Sequence, residues 1–337
     1  MLNKKTAAKI LSEVKKAKRV LLAVHVSPDQ DSVASVLAME LVLRRMGKKT
    51  KVISFSQIPS KLKFISGTEK IETADFAKVN FAAFEESSSA SCDLFIALDS
   101  AQERMITRSP FPKSFPSSFK IINIDHHFTN TRFGDINLID IVSSTAEILY
   151  KLFKLWKIKI DNKLASLLFY GVFADTGCFQ YSSTSKETFK IAADLLGKGA
   201  SLNEAVLVSL RSYNLKTLKY WGKVLENMQM DKSRRFVWST ISKTEREDLE
   251  VEVSEVEGAA NLFAPVVSGT EFGIILMEET DDLVRGSLRS RRNLDVSQIA
   301  VKLGGGGHKA AAGFSVKKNL KEAEKEVLEV ARNLINK

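Results

Sequence analysis

The chain is constrained most by a set of short apolar runs that stop at polar or charged residues: "RVLLAV" before His25, "KVISF" around Val52, "DLFIAL" before Asp99 and "KIINI" before Asp125. Runs this short read as buried strands, and helical patterns alternate with them, notably Ser32 to Met46, which Gly47 ends. Such alternation predicts an α/β fold with a mostly parallel sheet. In sheets of that kind ligands bind beyond the carboxyl ends of the strands. His25 with Asp29, then Asp99, then Asp125 with His126 and His127, each stand at such an end.

At 337 residues and 44% hydrophobic, the chain is long enough for two domains, each with its own core. The proline-rich stretch "SPFPKSFPSS", Ser109 to Ser118, reads as a loop feeding the strand before Asp125, and two helical patterns follow, Ser144 to Trp156 and Lys163 to Ala174. A long amphipathic helical stretch then gives way, from about Arg234, to strand patterns: "RFVWSTI", "FGIILMEE" and "LVRGSLRS". The expected organisation is a domain over 1–186, a helical linker over 187–232, and a smaller α/β domain over 233–337.

Lys and Arg outnumber Asp and Glu by 50 to 40, and the net charge of +10 suits an anionic partner such as a nucleotide or nucleic acid. Much of the excess is lysine on helix faces, where a solvated surface is the simpler reading. Two isolated cysteines, Cys92 and Cys178, make neither a disulfide framework nor a zinc knuckle. With no membrane-length apolar run and no signal-peptide core, a cytoplasmic protein without membrane contact is expected.

The chain holds only 4 histidines, His25, His126, His127 and His308, and none lies in the long helical segments. One histidine beside a strand is ordinarily structural. Here, however, His25 and His126 are joined at predicted element ends by four carboxylates, Asp29, Asp31, Asp99 and Asp175. Imidazole and carboxylate without thiolate suit Mn²⁺, Fe²⁺, Co²⁺ or Mg²⁺ better than structural zinc. Four carboxylates also allow bridging of a metal pair, which can clamp a phosphoryl centre and activate water. Asp31 or Ser32 is expected to cap the following helix, and Asp31 has that role alone as its plain alternative. Asp125 can orient an imidazole, and His127 can touch phosphate or protonate a leaving group.

Near the other end, "GGGGHKAAAGF" suggests backbone amides brought close to an anion, with a flexible loop as the plain alternative. In "VRGSLRSRR", strand periodicity puts Arg285, Ser287, Arg289 and Arg291 on one face, and arginines so placed match phosphates.

Taken in order, "HVSPDQDS", "ALDS", "NIDHH", "GVFADTGCFQY" and "SLRSRRNLDVSQIAVKLGGGGHKAAAGF" resemble the motifs of the DHH phosphoesterase family in its two-domain form with a GGGH-containing DHH-associated domain. The resemblance implies two divalent ions, manganese foremost with cobalt or magnesium as substitutes, and an active site between the domains. It places the metal ligands on His25, Asp29, Asp31, Asp99, His126 and Asp175, with His127 near the substrate. It places substrate contacts on Ser287, Arg289, Gly305, Gly306, Gly307 and His308, and the strand periodicity adds Arg285 to them. Its compact subgroup implies nanoRNase and pAp phosphatase activity: hydrolysis of short RNA, pApA or cyclic di-AMP to mononucleotides and of pAp to AMP, with a homodimer as one form. The family usually has glycine where this chain has Gln30 and Ala34; a left-handed turn at Gln30 would carry strain of roughly 1 to 2 kcal/mol.

The alternatives are an enzyme of the exopolyphosphatase or pyrophosphatase kind, and a non-catalytic nucleotide- or RNA-binding protein. Retention of all six ligand types speaks against the second, because buried carboxylates have no reason to persist without ions to balance them.

Overall fold

The computed structural model describes residues 2–81, 92–251, 257–291 and 294–335; Arg292 and Asn293 of the arginine-rich motif lie outside them. The chain forms two compact units, Met1–Ser212 and Tyr213–Lys337.

The first unit opens with helix α1 (Lys4–Lys16) and strand β1 (Arg19–Val24), and then α2 (Gln30–Arg45) leads to β2 (Lys49–Ser54). Four strands follow, β3 (Glu72–Thr73), β4 (Leu94–Leu98), β5 (Lys120–Asp125) and β6 (Ile136–Ile139). Helices α3 (Thr145–Leu155), α4 (Asn162–Asp175), α5 (Lys186–Gly197) and α6 (Leu202–Leu210) complete the unit.

Its sheet has the order β3-β2-β1-β4-β5-β6, and every pairing is parallel. This is the expected α/β architecture in doubly wound order, and the order reverses between β1 and β4. A crevice opens at such a switch point, beyond the carboxyl ends of the two strands. Alternate residues of each strand face opposite sides. Val20, Leu22 and Val24, with Leu94, Ile96 and Leu98, pack under helices α1 to α5. Leu21, Ala23, Phe95 and Ala97 face the other way, into a cluster built from Phe76, Phe81 and Phe119 with Phe111, Phe115 and Phe133 alongside. The proline-rich loop therefore does more than feed β5: its phenylalanines roof one face of the sheet.

The second unit runs α7 (Leu215–Glu226), β7 (Gln229–Met230), β8 (Phe236–Ile241), α8 (Lys243–Asp248), α9 (Glu257–Phe263), β9 (Phe272–Thr280), β10 (Leu283–Ser290), α10 (Ser297–Lys302), β11 (Gly306–Gly307), β12 (Ala311–Val316) and α11 (Leu320–Ile335). Its sheet order is β11-β12-β10-β9-β8-β7, antiparallel except for the β8–β9 pair.

The stretch expected as one helical linker is divided between the units. Ile191, Ala192 and Leu195 of α5 and Ala205 of α6 are buried in the first core, whereas Tyr220, Trp221 and Val224 of α7 are buried in the second. Each helix has its own apolar face, so each is bound to the core that covers it. Among the described residues no helix is long and apolar enough to cross a membrane.

Candidate metal centre

The centre begins where β1 ends. His25 is buried, and its Nδ1 accepts from Ser27 N at 3.3 Å, which directs Nε2 to within 3.4 Å of Asp29 Oδ2 and 3.8 Å of Asp99 Oδ2. Asp29, rather than Asp31 or Ser32, caps α2: its Oδ1 accepts from Ser32 N at 2.8 Å, and the Ser32 hydroxyl accepts from Asp29 N in return. The cap leaves Oδ2 of Asp29 turned to the histidine.

Asp31 lies inside the first turn of α2 and does not cap it. It is buried and accepts from Thr145 N at 2.7 Å, Ala146 N at 3.1 Å and Ser35 Oγ at 3.1 Å. Thr145 and Ala146 open α3, so a carboxylate of one helix sits against the positive end of another. Gln30 is the first residue of α2 and is not among the left-handed residues, so the expected strain does not arise there. Its buried amide donates to Tyr170 O at 3.1 Å and accepts from Ser209 Oγ at 3.0 Å. Asp99, directly after β4, is left-handed instead, with φ 53. Asp99 N donates to Ile124 O, and Thr145 Oγ1 donates to its Oδ1 at 2.9 Å, so both backbone and carboxyl are held.

At the end of β5, Asp125 is fully buried and accepts from His127 Nδ1 at 2.7 Å and from Asn130 Nδ2 at 2.6 Å. His126 Nδ1 donates to Val142 O at 3.2 Å, which leaves Nε2 3.5 Å from Asp99 Oδ1 and 3.3 Å from Asp175 Oδ2. A backbone carbonyl on the far nitrogen is the usual way of fixing a ligating imidazole. Asp175 is the last residue of α4, and a left-handed turn at Gly177, Cys178 and Phe179 follows it.

Three overlapping groups result, each with donor atoms within 4.8 Å of one another: His25, Asp29 and Asp99; Asp31, His126 and Asp175; and Asp99, Asp125, His126 and His127. Asp99 turns Oδ2 toward His25 and Oδ1 toward His126. The donor set is oxygen and imidazole nitrogen only, which fits hard or borderline divalent ions. Its electrostatics also call for cations. Burial and then the Asp31, Asp29, Asp175 and Asp125 carboxylates push Asp99 well above the usual carboxylate range, and burial with Asp31 and Asp29 pushes Asp175 up to about 8. Burial also works against charge on Asp125 and His127, but their mutual bond and attraction, together with Asn130 and His126 beside the aspartate and Asp175 and Asp29 near the imidazole, outweigh it and hold the aspartate low and the imidazole high.

In the second unit, β10 turns Arg285, Ser287 and Arg289 to one face, as expected, and Arg291 lies just past the strand. A cavity of about 460 Å³ is lined by Arg285, Ser287 and Gly305 together with Tyr220, Ile275 and Met277. Arg289, Gly306, Gly307 and His308 lie outside that lining. Arg285 pairs with Glu279, and Arg289 Nε donates to Asn261 Oδ1 at 2.6 Å. The glycine run has a packing reason: a Cβ on Gly305 would lie 2.2 Å from Gly313 O, and one on Gly307 2.5 Å from Ala312 Cα.

Several residues that hold the centre were not singled out in the sequence: Ser35, Asn130, Thr145 and Gly171. A Cβ at Gly171 would lie 2.4 Å from Asp31 Oδ1 and 2.6 Å from Ala146 Cβ, so α4 passes the Asp31 carboxylate only because glycine is there. A glycine inside a helical pattern was the available signal, since it costs helix stability and implies a packing reason.

The model of the DHH family, N-terminal domain, matches residues 19–172, and that of the DHHA1 domain matches residues 240–337. The chain carries a DHH domain followed by a DHHA1 domain. Its DHH domain thus carries every ligand-capable residue of the centre except Asp175, which lies three residues past the match. The bifunctional oligoribonuclease and PAP phosphatase NrnA of Thermus thermophilus is 29% identical over 333 residues, 96% of this chain and 93% of that one. Its namesake from Bacillus subtilis is 26% identical over 303 residues, covering 88% and 89%. Among solved structures, an exopolyphosphatase-related protein from Bacteroides fragilis matches with a TM-score of 0.84 at 24% identity, covering 100% of this chain and 99% of that one.

Proposed function

We propose that the chain is a divalent-metal-dependent phosphoesterase that hydrolyses short oligonucleotides and dinucleotides, such as nanoRNA, pApA or cyclic di-AMP, to mononucleotides, and pAp to AMP. The observation that carries this reading is the convergence of His25, Asp29, Asp31, Asp99, His126 and Asp175 at the switch point of a parallel sheet, in a chain with NrnA relatives over nearly its whole length. Manganese is the proposed ion; His25, Asp29 and Asp99 would hold one ion and Asp31, His126 and Asp175 another. The two isolated cysteines suit work in the cytoplasm.

When bound, two divalent ions lower the pKa of a water and neutralise charge on phosphoryl oxygens. The protein's own part is positional and protonic. Thr145 and Ala146 fix Asp31, the Thr145 hydroxyl fixes Asp99, and Asn130 fixes Asp125. With Nδ1 of His127 engaged by Asp125, the transferable proton of the imidazolium is on Nε2, ready for the ester oxygen that leaves as the P–O bond breaks. In the DHHA1 domain, Arg285, Ser287, Arg289 and the Gly305 to His308 segment are the proposed substrate contacts.

The test is a side-by-side hydrolysis of pApA, pAp, cyclic di-AMP, pyrophosphate and polyphosphate with Mn²⁺. AMP released from pApA and pAp supports the reading. Cleavage of the inorganic phosphates alone overturns it in favour of a pyrophosphatase-like enzyme.

A further inference from the structure

The metal centre is acidic, yet the segments that carry its histidines and its last aspartate present apolar side chains to solvent. Phe128, directly after His127, is 74% exposed, the highest value for any large hydrophobic side chain among the described residues. Ile141 is 64% exposed and precedes Val142, the residue that holds His126 through its carbonyl. Tyr181 is 57% exposed, two residues past the left-handed turn that follows Asp175, and its ring lies so close to Gly177 that a Cβ there would meet it at 2.4 Å.

Scattered exposed hydrophobics are ordinary on protein surfaces. Phe128 differs in how its turn is held. Asn130 N donates to His127 O, and the Asn130 amide reaches Ser100 O, Asn123 Oδ1 and Asp125 Oδ2. On the next residue, Thr131 N donates to Ala101 O. The backbone on the C-terminal side of Phe128 is thus tied to the same residues that orient His127. An aromatic side chain that is 74% exposed on a hydrogen-bonded turn, one residue from the proposed proton donor, is within chain reach of a substrate held at the centre. Phosphate groups alone gain nothing from such a rim, whereas a nucleobase stacks on it without regard to sequence.

We propose that Phe128 is a base-stacking platform of the DHH domain, which selects nucleobase-bearing phosphodiesters over inorganic and sugar phosphates. This rests on the phosphoesterase reading above and names the part of the substrate that the metal domain itself recognises. Stacking is sequence-tolerant, so the platform favours no particular base.

The experiment compares the unaltered enzyme with Phe128→Ala, Phe128→Leu and Phe128→Trp on pApA and on its two analogues in which one or the other adenine is replaced by hydrogen. Losing one base–aromatic stack corresponds to a drop in kcat/KM of about tenfold or more. The alanine and leucine variants are expected to show it on pApA and the tryptophan variant to recover most of it. On one of the two abasic analogues the unaltered enzyme is expected to lose its advantage over Phe128→Ala. Mn²⁺ affinity measured in parallel is expected to be the same in all four proteins, which a general disturbance of the turn would not allow. Efficiency of Phe128→Ala within about twofold of the unaltered enzyme on pApA overturns the platform, as does an equal loss on all three substrates. An unaltered enzyme inert towards pApA instead overturns the phosphoesterase reading itself.

Discussion

Single residues divide into those that can hold ions and those that hold the holders, and the second kind makes the sharper tests. Replacing Gly171 by alanine forces a methyl group into Asp31 and Ala146. The expected cost is about 1–3 kcal/mol of stability from overpacking, with Mn²⁺ binding weakened more than melting temperature suggests. Calorimetric titration beside thermal unfolding separates the two effects. Asp175 supplies a pH signature. Metal binding needs the carboxylate deprotonated, and without ions burial and facing carboxylates push this group up to about 8. At pH 7 the metal-free chain therefore holds a proton there that binding releases, so Mn²⁺ affinity is expected to rise as pH approaches 8. Titration in buffers of different ionisation enthalpy counts the protons, and pH-independent affinity would contradict the account. The ion-capable residues themselves were legible because each ends a strand or helix pattern. Their supports were not: Thr145 N reaches Asp31 across 114 positions of sequence, a pairing that no local periodicity reveals.

At the level of elements, the centre depends on where the ends of α2, α3 and α4 meet. The buried Glu147 carboxylate ties α3 to α5, accepting from Ser143 Oγ at 2.6 Å, Thr188 Oγ1 at 2.9 Å and Lys151 Nζ at 2.7 Å. Burial opposes its charge, but these partners outweigh burial and hold its pKa below the 4.5 of an ordinary glutamate. A depressed folded-state value means that the contribution to stability is complete above 4.5 and is lost as pH falls through the lower folded value. Glu147→Gln is therefore expected to destabilise by about 1–3 kcal/mol at pH 7, with the difference shrinking in acid. Urea unfolding at both ends of that range checks the sign. Element identities were readable from the sequence to within a few residues, as α3 and α4 illustrate. The helix cap was misplaced because Asp29, Asp31 and Ser32 are all good capping residues, and only the structure distinguishes the one with extended backbone, Asp29. Gln30 was read as a source of strain because a turn was assumed where the helix has already begun.

The whole molecule separates two tasks by domain: ion-capable residues in the first unit, and the arginine face with its glycine run in the second. His127→Ala is expected to lower kcat by roughly 10²–10⁴, the usual worth of a general acid. Arg289→Ala is expected to act mainly through KM, and the reverse pattern would exchange the assigned roles. Two domains, a parallel sheet in the first and a smaller second domain were legible from run lengths and the change of pattern near Arg234. The division of the supposed linker was not, because which core covers an amphipathic helix is decided by tertiary packing. The central claim, that two bound divalent ions make this chain a phosphoesterase, is tested most directly by exhaustive chelation followed by Mn²⁺ titration, with bound metal and pApA hydrolysis measured on the same samples. The account requires activity to vanish on chelation and to return in step with the second ion per chain. Full activity in the metal-free protein, or saturation with no ion bound at this centre, would contradict it.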